Sequence, residues 1–326
     1  MKLQNKMYGI SLWVLLTLGV SIVVILIQKL IKSPLLDPLL LALTLGIILR
    51  LLIKFNQKSL AELRMAPALL IPPGVILYGA VNLNFSKLTP LDPNYIFLIF
   101  IVFLVYTVSC LILSRLLKLP ERVGYLITTG STICGASAIT ITSRSIEAEP
   151  DDISLSLIPI FIVALIGLFF IIPNVKIMFG LDAMEYGVFS ATTLQFTGFV
   201  KAAVAKLPAD IQNIAMSIKA VRYLGLLFLI PLFASLIRGK LYIPMVLWFF
   251  ICAGIIFSFF PAITVRFQPF FKIALNVLWS MAMAAIGLNA DVKKIFSREG
   301  LKAFIVSLLA FFIAVGVFLA GIWVLT

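Results

Sequence analysis

Two cations, Lys219 and Arg222, stand three residues apart in the stretch IKAVRY of a largely apolar segment. Residues three apart share one helix face. Because a cation at membrane depth is energetically costly, its presence there indicates a function. The uncharged stretch that follows, 223–237, is too short to cross a membrane alone, so a crossing helix includes Arg222. The pair is a candidate anion site; the alternative is that both side chains extend to the membrane interface.

The stretch GSTICGASAIT, residues 130–140, places small and polar residues inside another apolar segment. Residue types alone favour close helix packing, because small residues let membrane helices approach one another. The alternative is a broken helix, in which glycines weaken the helix and freed backbone groups and hydroxyls bind an ion. The candidate ligands in this stretch are Ser131, Thr132, Cys134, Gly135 and Ser137.

Further polar residues fall between positions 192 and 213, and we select Thr193 and Gln195 as candidate ligands. This region is either the lining of an aqueous vestibule or an amphipathic segment at the interface. Asn289 ends a later apolar segment near Asp291, and it is a candidate ligand or a local helix cap.

The chain contains no histidine, and its three cysteines lie inside apolar segments. This pattern gives no zinc site, no disulfide framework and no histidine-based catalysis. No phosphate-binding loop or dinucleotide fingerprint is present, so we predict neither an enzyme nor a cofactor or metal site. The acidic stretch EAEPDD, 147–152, favours capping of the helix that Pro150 begins over a cation site.

The elements that position these residues are membrane helices. The chain has 326 residues, is 62% hydrophobic and 12% charged, and has a mean hydropathy of +1.17. Its charges lie in short clusters between apolar runs, which predicts an all-α polytopic membrane protein and explains the net charge of +13 without nucleic acid. We predict eleven spans, numbered in chain order: 8–28, 35–53, 66–82, 94–114, 123–142, 153–173, 186–203, 214–237, 241–261, 270–289 and 303–325.

Orientation follows from Lys and Arg in alternate connections. Sixteen fall on the side of the N-terminus and eight on the other side, which predicts a cytoplasmic N-terminus and an external C-terminus in the cell (inner) membrane. The acidic loop 147–152 is then external.

The predicted domains are an extra helix, 1–34, and two five-helix halves, 35–178 and 179–326. Because five is odd, the halves have opposite topology, as inverted-repeat transporters require. Span 5 then corresponds to span 10, whose stretch SMAMAAIGLNAD is also poor in bulky aliphatic residues. The alternative pairs spans 3 and 10, on the similarity of VNLNFSK, 81–87, to IGLNADVKK, 286–294.

Three stretches carry a family resemblance: TTGSTICGASAIT with its acidic loop, YGVFSATTLQFTGFVKAA with the later IKAVRY, and SMAMAAIGLNADVKKIFSREGLKAF. Over roughly 35–326 the chain resembles the bacterial uncharacterised protein family 0324, whose members are often labelled sulfate exporters. The resemblance implies the fold of cation–proton antiporters and bile-acid symporters, with spans 5 and 10 as crossing discontinuous helices. It also implies an anion-facing role for Lys219 and Arg222, which recur in the family.

The chain departs from the family pattern in span 7. Where relatives have isoleucine, histidine and an acidic residue followed by a glutamine, this sequence has Leu194, Gln195 and Phe196, with Phe199 in the glutamine position. Gln195 can hydrogen-bond a substrate but cannot carry a proton, so the resemblance alone does not establish proton coupling for this chain.

These observations predict a secondary-active exporter of a small anion, sulfate-like or organic, with its site at mid-membrane between spans 5 and 10. The coupling ion, H+ or Na+, and a homodimeric state stay open. The alternatives are an anion channel and a membrane sensor that binds a ligand without transporting it.

Overall fold

The computed structural model of the chain describes residues 2–53, 63, 65–82 and 92–325, and their side chains except those of residues 2–12, 261–265 and 325. Within these ranges all regular secondary structure is helical, which confirms the predicted all-α class. The helices are α1 (Lys2–Ile31), α2 (Pro38–Leu52), α3 (Ala66–Asn82), α4 (Pro93–Leu116), α5 (Glu121–Thr129), α6 (Ala136–Ser145), α7 (Pro150–Ile166), α8 (Ile172–Phe179), α9 (Ala183–Thr193), α10 (Thr197–Val204), α11 (Ala209–Tyr223), α12 (Leu226–Arg238), α13 (Met245–Phe259), α14 (Pro261–Asn289), α15 (Val292–Ile295) and α16 (Arg298–Leu325). Two π-helical turns, Gly130–Cys134 and Gly167–Ile171, lie between α5 and α6 and between α7 and α8.

Six of the described helical segments are long and apolar enough to cross a membrane. They are Trp13–Ile31, Pro93–Leu116, Pro150–Phe179, Ala209–Arg238, Arg266–Asn289 and Arg298–Val324. Three shorter apolar helices are Pro38–Leu52, Ala66–Asn82 and Met245–Phe259. The chain is therefore a multi-pass membrane protein.

Acidic residues fix the starts of two helices. The Asp37 carboxylate accepts hydrogen bonds from two backbone N–H groups of the first turn of α2, directly before Pro38. In the acidic loop, the Glu149 N–H donates to the Asp152 carboxylate at 3.0 Å, and Pro150 is the first residue of α7. The capping interpretation of this loop is confirmed, and no group of three metal-ligand residues occurs in the part of the chain that the structure describes.

A scaffold forms where α2 and α3 pack along α14. Gly46 and Gly287 face each other so closely that a Cβ on Gly46 would lie 2.5 Å from the Ala284 carbonyl oxygen. Helix α14 is continuous from Pro261 to Asn289. The prediction that span 10 is discontinuous is therefore wrong: its small residues serve close packing against α2.

Residues 121–145, predicted as span 5, form a helical hairpin that we call hairpin 1. After the π-helical turn, Gly135 adopts φ +69° and ψ −124°, a conformation that favours glycine, and α6 begins. Val123 in the first arm accepts a hydrogen bond from Ser156 Oγ at 3.3 Å, and Ser156 lies near the start of α7, just after the hairpin. Both ends of hairpin 1 therefore lie at the same end of the bundle, which corrects the prediction that this segment crosses.

Residues 183–204, predicted as span 7, form a second hairpin, hairpin 2. Helix α9 ends at Thr193, the backbone is extended at Leu194 and Phe196, and α10 begins at Thr197. A Cβ on Gly187 in the first arm would lie 2.5 Å from Ile211 Cγ2, in the helix that follows the hairpin. Because α7 and α8 run from hairpin 1 to hairpin 2, the hairpins enter the bundle from opposite ends.

Two ion pairs correct the predicted position of the acidic loop. Glu147 pairs with Arg238 and Asp151 pairs with Lys294, each at 2.7 Å, and Asp151 also accepts the Asp291 N–H at 2.8 Å. The Lys and Arg count had put the loop on the side opposite to residues 238–240 and 290–302. The loop lies on their side because hairpin 1 returns to the end from which it entered.

Candidate functional site

The tips of the two hairpins meet at Lys219, which projects from α11. Its ammonium group donates to the carbonyl oxygens of Ile133 in hairpin 1, at 3.2 Å, and of Leu194 and Gln195 in hairpin 2, both at 2.8 Å. The three donors of the ammonium are thereby used. Lys219 is completely buried, which excludes the alternative that it extends to the membrane interface.

Arg222, one turn further along α11, makes a second bridge between the tips. Its Nε donates to the Thr132 carbonyl at 2.8 Å and its Nη2 to the Ser131 carbonyl at 3.1 Å, both in hairpin 1. Its Nη1 donates to the carbonyls of Ala191 and Leu194 in hairpin 2. Only 4% of Arg222 is exposed, so this cation also lies inside the protein.

The arrangement has a physical cause in the ends of the half-helices. Breaking a helix leaves carbonyls without N–H partners at its C-terminal end, where the helix dipole adds about half a negative charge. Lys219 and Arg222 satisfy these carbonyls in both hairpins. The buried residues that the structure describes include these two cations and no carboxylate, so the junction keeps two formal positive charges without an anionic side chain.

Polar side chains beside the cations keep hydrogen-bonding capacity. Gln195 Nε2 donates to the Tyr106 hydroxyl at 2.8 Å, while Gln195 Oε1 and Thr192 Oγ1 are buried without a partner. The Ser131 side chain lies close to Tyr106 and to the Cys110 thiol. Unpaired buried polar atoms are uncommon in folded proteins, and they point to a ligand or water at this place.

A second polar group lies at the start of the return arms. The Tyr78 hydroxyl contacts Cys134 Sγ at 3.5 Å and lies close to Ser137. The Tyr223 hydroxyl bonds to Thr197 Oγ1 at 2.9 Å, and the rings of Tyr78 and Tyr223 pack edge to face. This group joins the N-terminal end of α6 to that of α10, where backbone N–H groups favour negative charge.

Phe196 closes the space between the tips. A Cβ on Gly135 would lie 2.8 Å from two carbon atoms of the Phe196 ring, so only glycine lets the ring pack here. Phe161 and Phe199 surround the same ring, with centroid distances of 5.5 and 5.3 Å. Phe196, which stands where the family pattern has an acidic residue, thus fills the space between the tips with an aromatic ring.

The side chains of three predicted ligands bond to backbone carbonyls one helical turn earlier in the chain. The hydroxyls of Thr132 and Thr193 donate to the carbonyls of Thr128 and Phe189. Asn289 Nδ2 donates to the Ala285 carbonyl, at the end of α14. Asn289 lies ten residues, about 15 Å of helix, beyond Trp279, which stacks on Tyr78. Asn289 is therefore outside the junction, and the structure assigns it a local role.

The sequence alone does not select Tyr106, Tyr223 or Thr197. Tyrosines in apolar segments are common near membrane interfaces, so their presence indicates no site. The sequence could have indicated Tyr223, because Tyr223 directly follows Arg222 and lies in the same environment. The backbone carbonyls that bind the cations leave no trace in residue types.

Fold and site together define the class: a multi-pass helical membrane protein with two opposed hairpins and a buried cation pair at their tips. Within this class the chain belongs to the conserved hypothetical protein 698 family, whose model matches residues 12–307. A UPF0324 membrane protein of Agrobacterium fabrum is 30% identical, over 84% of this chain and 77% of its own length. A UPF0324 membrane protein of Bacillus cereus is 26% identical over 94% and 89%, and one of Archaeoglobus fulgidus is 28% identical over 72% and 69%. The resemblance to uncharacterised protein family 0324 is confirmed, and no solved structure matches the chain.

Proposed function

We propose that the protein is a secondary-active transporter of a small anion, sulfate-like or organic, bound where the two hairpin tips meet. One observation carries the proposal: Lys219 and Arg222 are buried at the tips without a carboxylate among the described buried residues. An anion there gains from both charges and from the N-terminal ends of α6 and α10. The predicted site between spans 5 and 10 thus moves to the junction of spans 5 and 7.

The opposed hairpins suggest how the site is reached from each side. Opening hairpin 1 or hairpin 2 would expose the junction to one face of the membrane while the other hairpin stays closed. A cleft of about 340 Å³ lies at the base of hairpin 1, lined in part by Ser143, Arg144 and Glu147, and we take it as the start of an entry route on that side. Movement of alternate halves around a fixed central site is the general logic of such transporters.

For the whole chain we propose nine crossings, from the six long and three shorter apolar helices, plus the two hairpins. Compared with eleven spans, Arg144 moves to the side of the N-terminus and Lys176 moves to the other side. The side of the N-terminus therefore still has sixteen Lys and Arg residues against eight, which favours a cytoplasmic N-terminus and an external C-terminus. The five-helix halves 35–178 and 179–326 stay a prediction. Hairpin 1 is the fourth segment of the first half and hairpin 2 the first of the second, so they are not equivalent positions in that division.

The proposal includes no catalytic step. The chain has no histidine, and the junction holds no carboxylate to act as a general acid or base. A channel and a non-transporting sensor are the competing functions.

The test uses the purified full-length chain in liposomes, with radiolabelled sulfate, sulfite, thiosulfate and small dicarboxylates. We expect saturable uptake and counterflow of at least one anion. A change of the uptake rate with a pH gradient or with a sodium gradient identifies the coupling ion. Uptake without counterflow indicates a channel, binding without uptake indicates a sensor, and the absence of both contradicts the proposal.

A further inference from the structure

A groove on the outside of the bundle, between α1 and α14, has the shape and charge of a lipid site. It measures about 380 Å³ and is lined by Ile25, Gln28 and Lys29 from α1 and by Pro269, Lys272, Ile273 and Asn276 from α14. The two helices also bond where Ser21 Oγ donates to the Val277 carbonyl at 3.4 Å.

The cations of the groove gather at one end of it. Lys29 lies in the last turn of α1, and Lys272 lies near the start of the apolar segment Arg266–Asn289. Lys201, on the return arm of hairpin 2, lies close enough to Lys272 for their charges to repel each other. Both ion pairs of the described residues lie at the opposite end of the bundle, so neither neutralises these lysines.

Apart from the amides of Gln28 and Asn276, the rest of the groove is apolar, and it faces outward. The Ile273 side chain is 62% exposed and Ile25 is half-buried, at positions where a membrane helix meets acyl chains. A cationic end, at the level of the last turn of α1, and apolar side chains beside it match the two parts of a phospholipid.

We propose that this groove binds an anionic phospholipid. Its phosphate contacts Lys29 and Lys272 at the membrane interface, and an acyl chain lies along Ile25 and Ile273. The membrane is the source of the ligand because the groove opens sideways, toward the hydrocarbon core, along its apolar wall.

The position of Lys201 links this lipid to hairpin 2. A Cβ on Gly198, in the same arm, would collide with the Pro34 backbone, which lies between α1 and α2. A headgroup that also attracts Lys201 therefore connects hairpin 2 to helices α1 and α14.

The experiment is native mass spectrometry of the purified full-length chain with added phosphatidylglycerol or phosphatidylcholine. We expect preferential retention of phosphatidylglycerol by the wild type. Because a lysine near an anionic headgroup contributes roughly fivefold in binding, Lys29→Gln/Lys272→Gln is expected to weaken it about 25-fold. Lys29→Arg/Lys272→Arg, which keeps both charges, is expected to retain it.

The matched control is Lys206→Gln/Lys240→Gln, which also removes two exposed lysines but leaves the groove intact. The proposal is overturned if the groove variant and the control retain phosphatidylglycerol equally, or if the wild type binds both lipids alike. Displacement of the lipid by millimolar inorganic phosphate would also overturn it, since the ligand would then be a free phosphate. All variants are exposed substitutions, and size-exclusion chromatography checks that they fold.

Discussion

At the scale of single residues, Lys219 is one of the two cations that bridge the hairpin tips. Lys219→Gln removes a charge and leaves the carbonyls of Ile133 and Gln195 without the ammonium donor, at about 1–3 kcal/mol for each buried group that loses its partner. We expect a lower melting temperature and at least a tenfold loss of anion flux in liposomes.

Lys206→Gln, an exposed lysine in the connection after hairpin 2, serves as the control and should leave both quantities unchanged. Lys219→Arg keeps the charge and should retain more flux than Lys219→Gln. Wild-type flux in Lys219→Gln would contradict a role for this cation at the substrate site.

Gly135 is the residue whose side-chain volume matters most at the tip of hairpin 1. Gly135→Ala adds a Cβ against the Phe196 ring in a backbone conformation with φ +69°, so we expect destabilisation by about 2 kcal/mol or more and loss of flux. Thermal unfolding and liposome flux measure the two effects.

Gly180→Ala is the comparison, because Gly180 also has positive φ, +63°, but nothing lies within 4 Å of its Cβ position. The double variant Gly135→Ala/Phe196→Ala removes the steric overlap and should recover part of the lost stability. Equal effects of the two single alanine variants would show that contact with Phe196 is unimportant.

Residue types predicted much of this site. Lys219, Arg222, Gln195 and the 130–140 stretch were selected because charge and small polar residues are unusual at membrane depth. The misassigned residue was Asn289, because a capping amide at a helix end looks the same in sequence as a ligand. The partners of the cations are backbone carbonyls, which the sequence does not distinguish.

At the scale of elements, the Asp151–Lys294 pair joins the loop after hairpin 1 to α15. The hydrogen bond and charge of Asp151 raise the pKa of Lys294 above its ordinary value of 10.5. A raised pKa means that the pair stabilises the fold fully below pH 10.5 and that this contribution is lost as pH rises through the folded-state pKa.

The predicted difference is small because the Lys294 side chain is 52% exposed and surface ion pairs contribute about 0–1 kcal/mol. We expect Lys294→Gln to lower the melting temperature slightly at about pH 9 and to match the wild type at about pH 12. Lys293→Gln, its exposed neighbour, should have no effect at either pH. A difference that persists at high pH would mean that the ion pair is not its cause.

The sequence predicted the long helices better than the two hairpins. Hydropathy located α4, α7–α8 and α16 because each is a long apolar run. It counted hairpins 1 and 2 as spans because two short arms and a polar tip have the length of one crossing helix. Span 10 was expected to break because the family resemblance implied it. Its small residues fitted that expectation, but small residues also occur in close-packed helices such as α14.

At the scale of the whole molecule, the hairpins change which connections share a side. Single cysteines replacing Lys118, Glu147 and Lys240 should react with a membrane-impermeant maleimide from one side, and those replacing Asp182 and Lys206 from the other. The background carries Cys252→Ser, because Cys252 is exposed whereas Cys110 and Cys134 are buried. Eleven crossings would instead put Lys118 and Glu147 on opposite sides, so labelling of these two from different faces would contradict the hairpin arrangement.

The uncompensated cation pair at the junction also has an electrical consequence. With both side chains protonated, the empty junction carries two positive charges; under the proposed function a bound monovalent anion leaves one, and a divalent anion leaves none. Each charge that moves across a potential of 100 mV changes the free energy by about 2.3 kcal/mol. Under the proposed function the hairpins open in turn around this fixed pair, so the pair faces first one side of the membrane and then the other. A membrane voltage then acts on the step in which the junction is empty and not on the step with a bound divalent anion, so the turnover rate should depend on voltage through the return step.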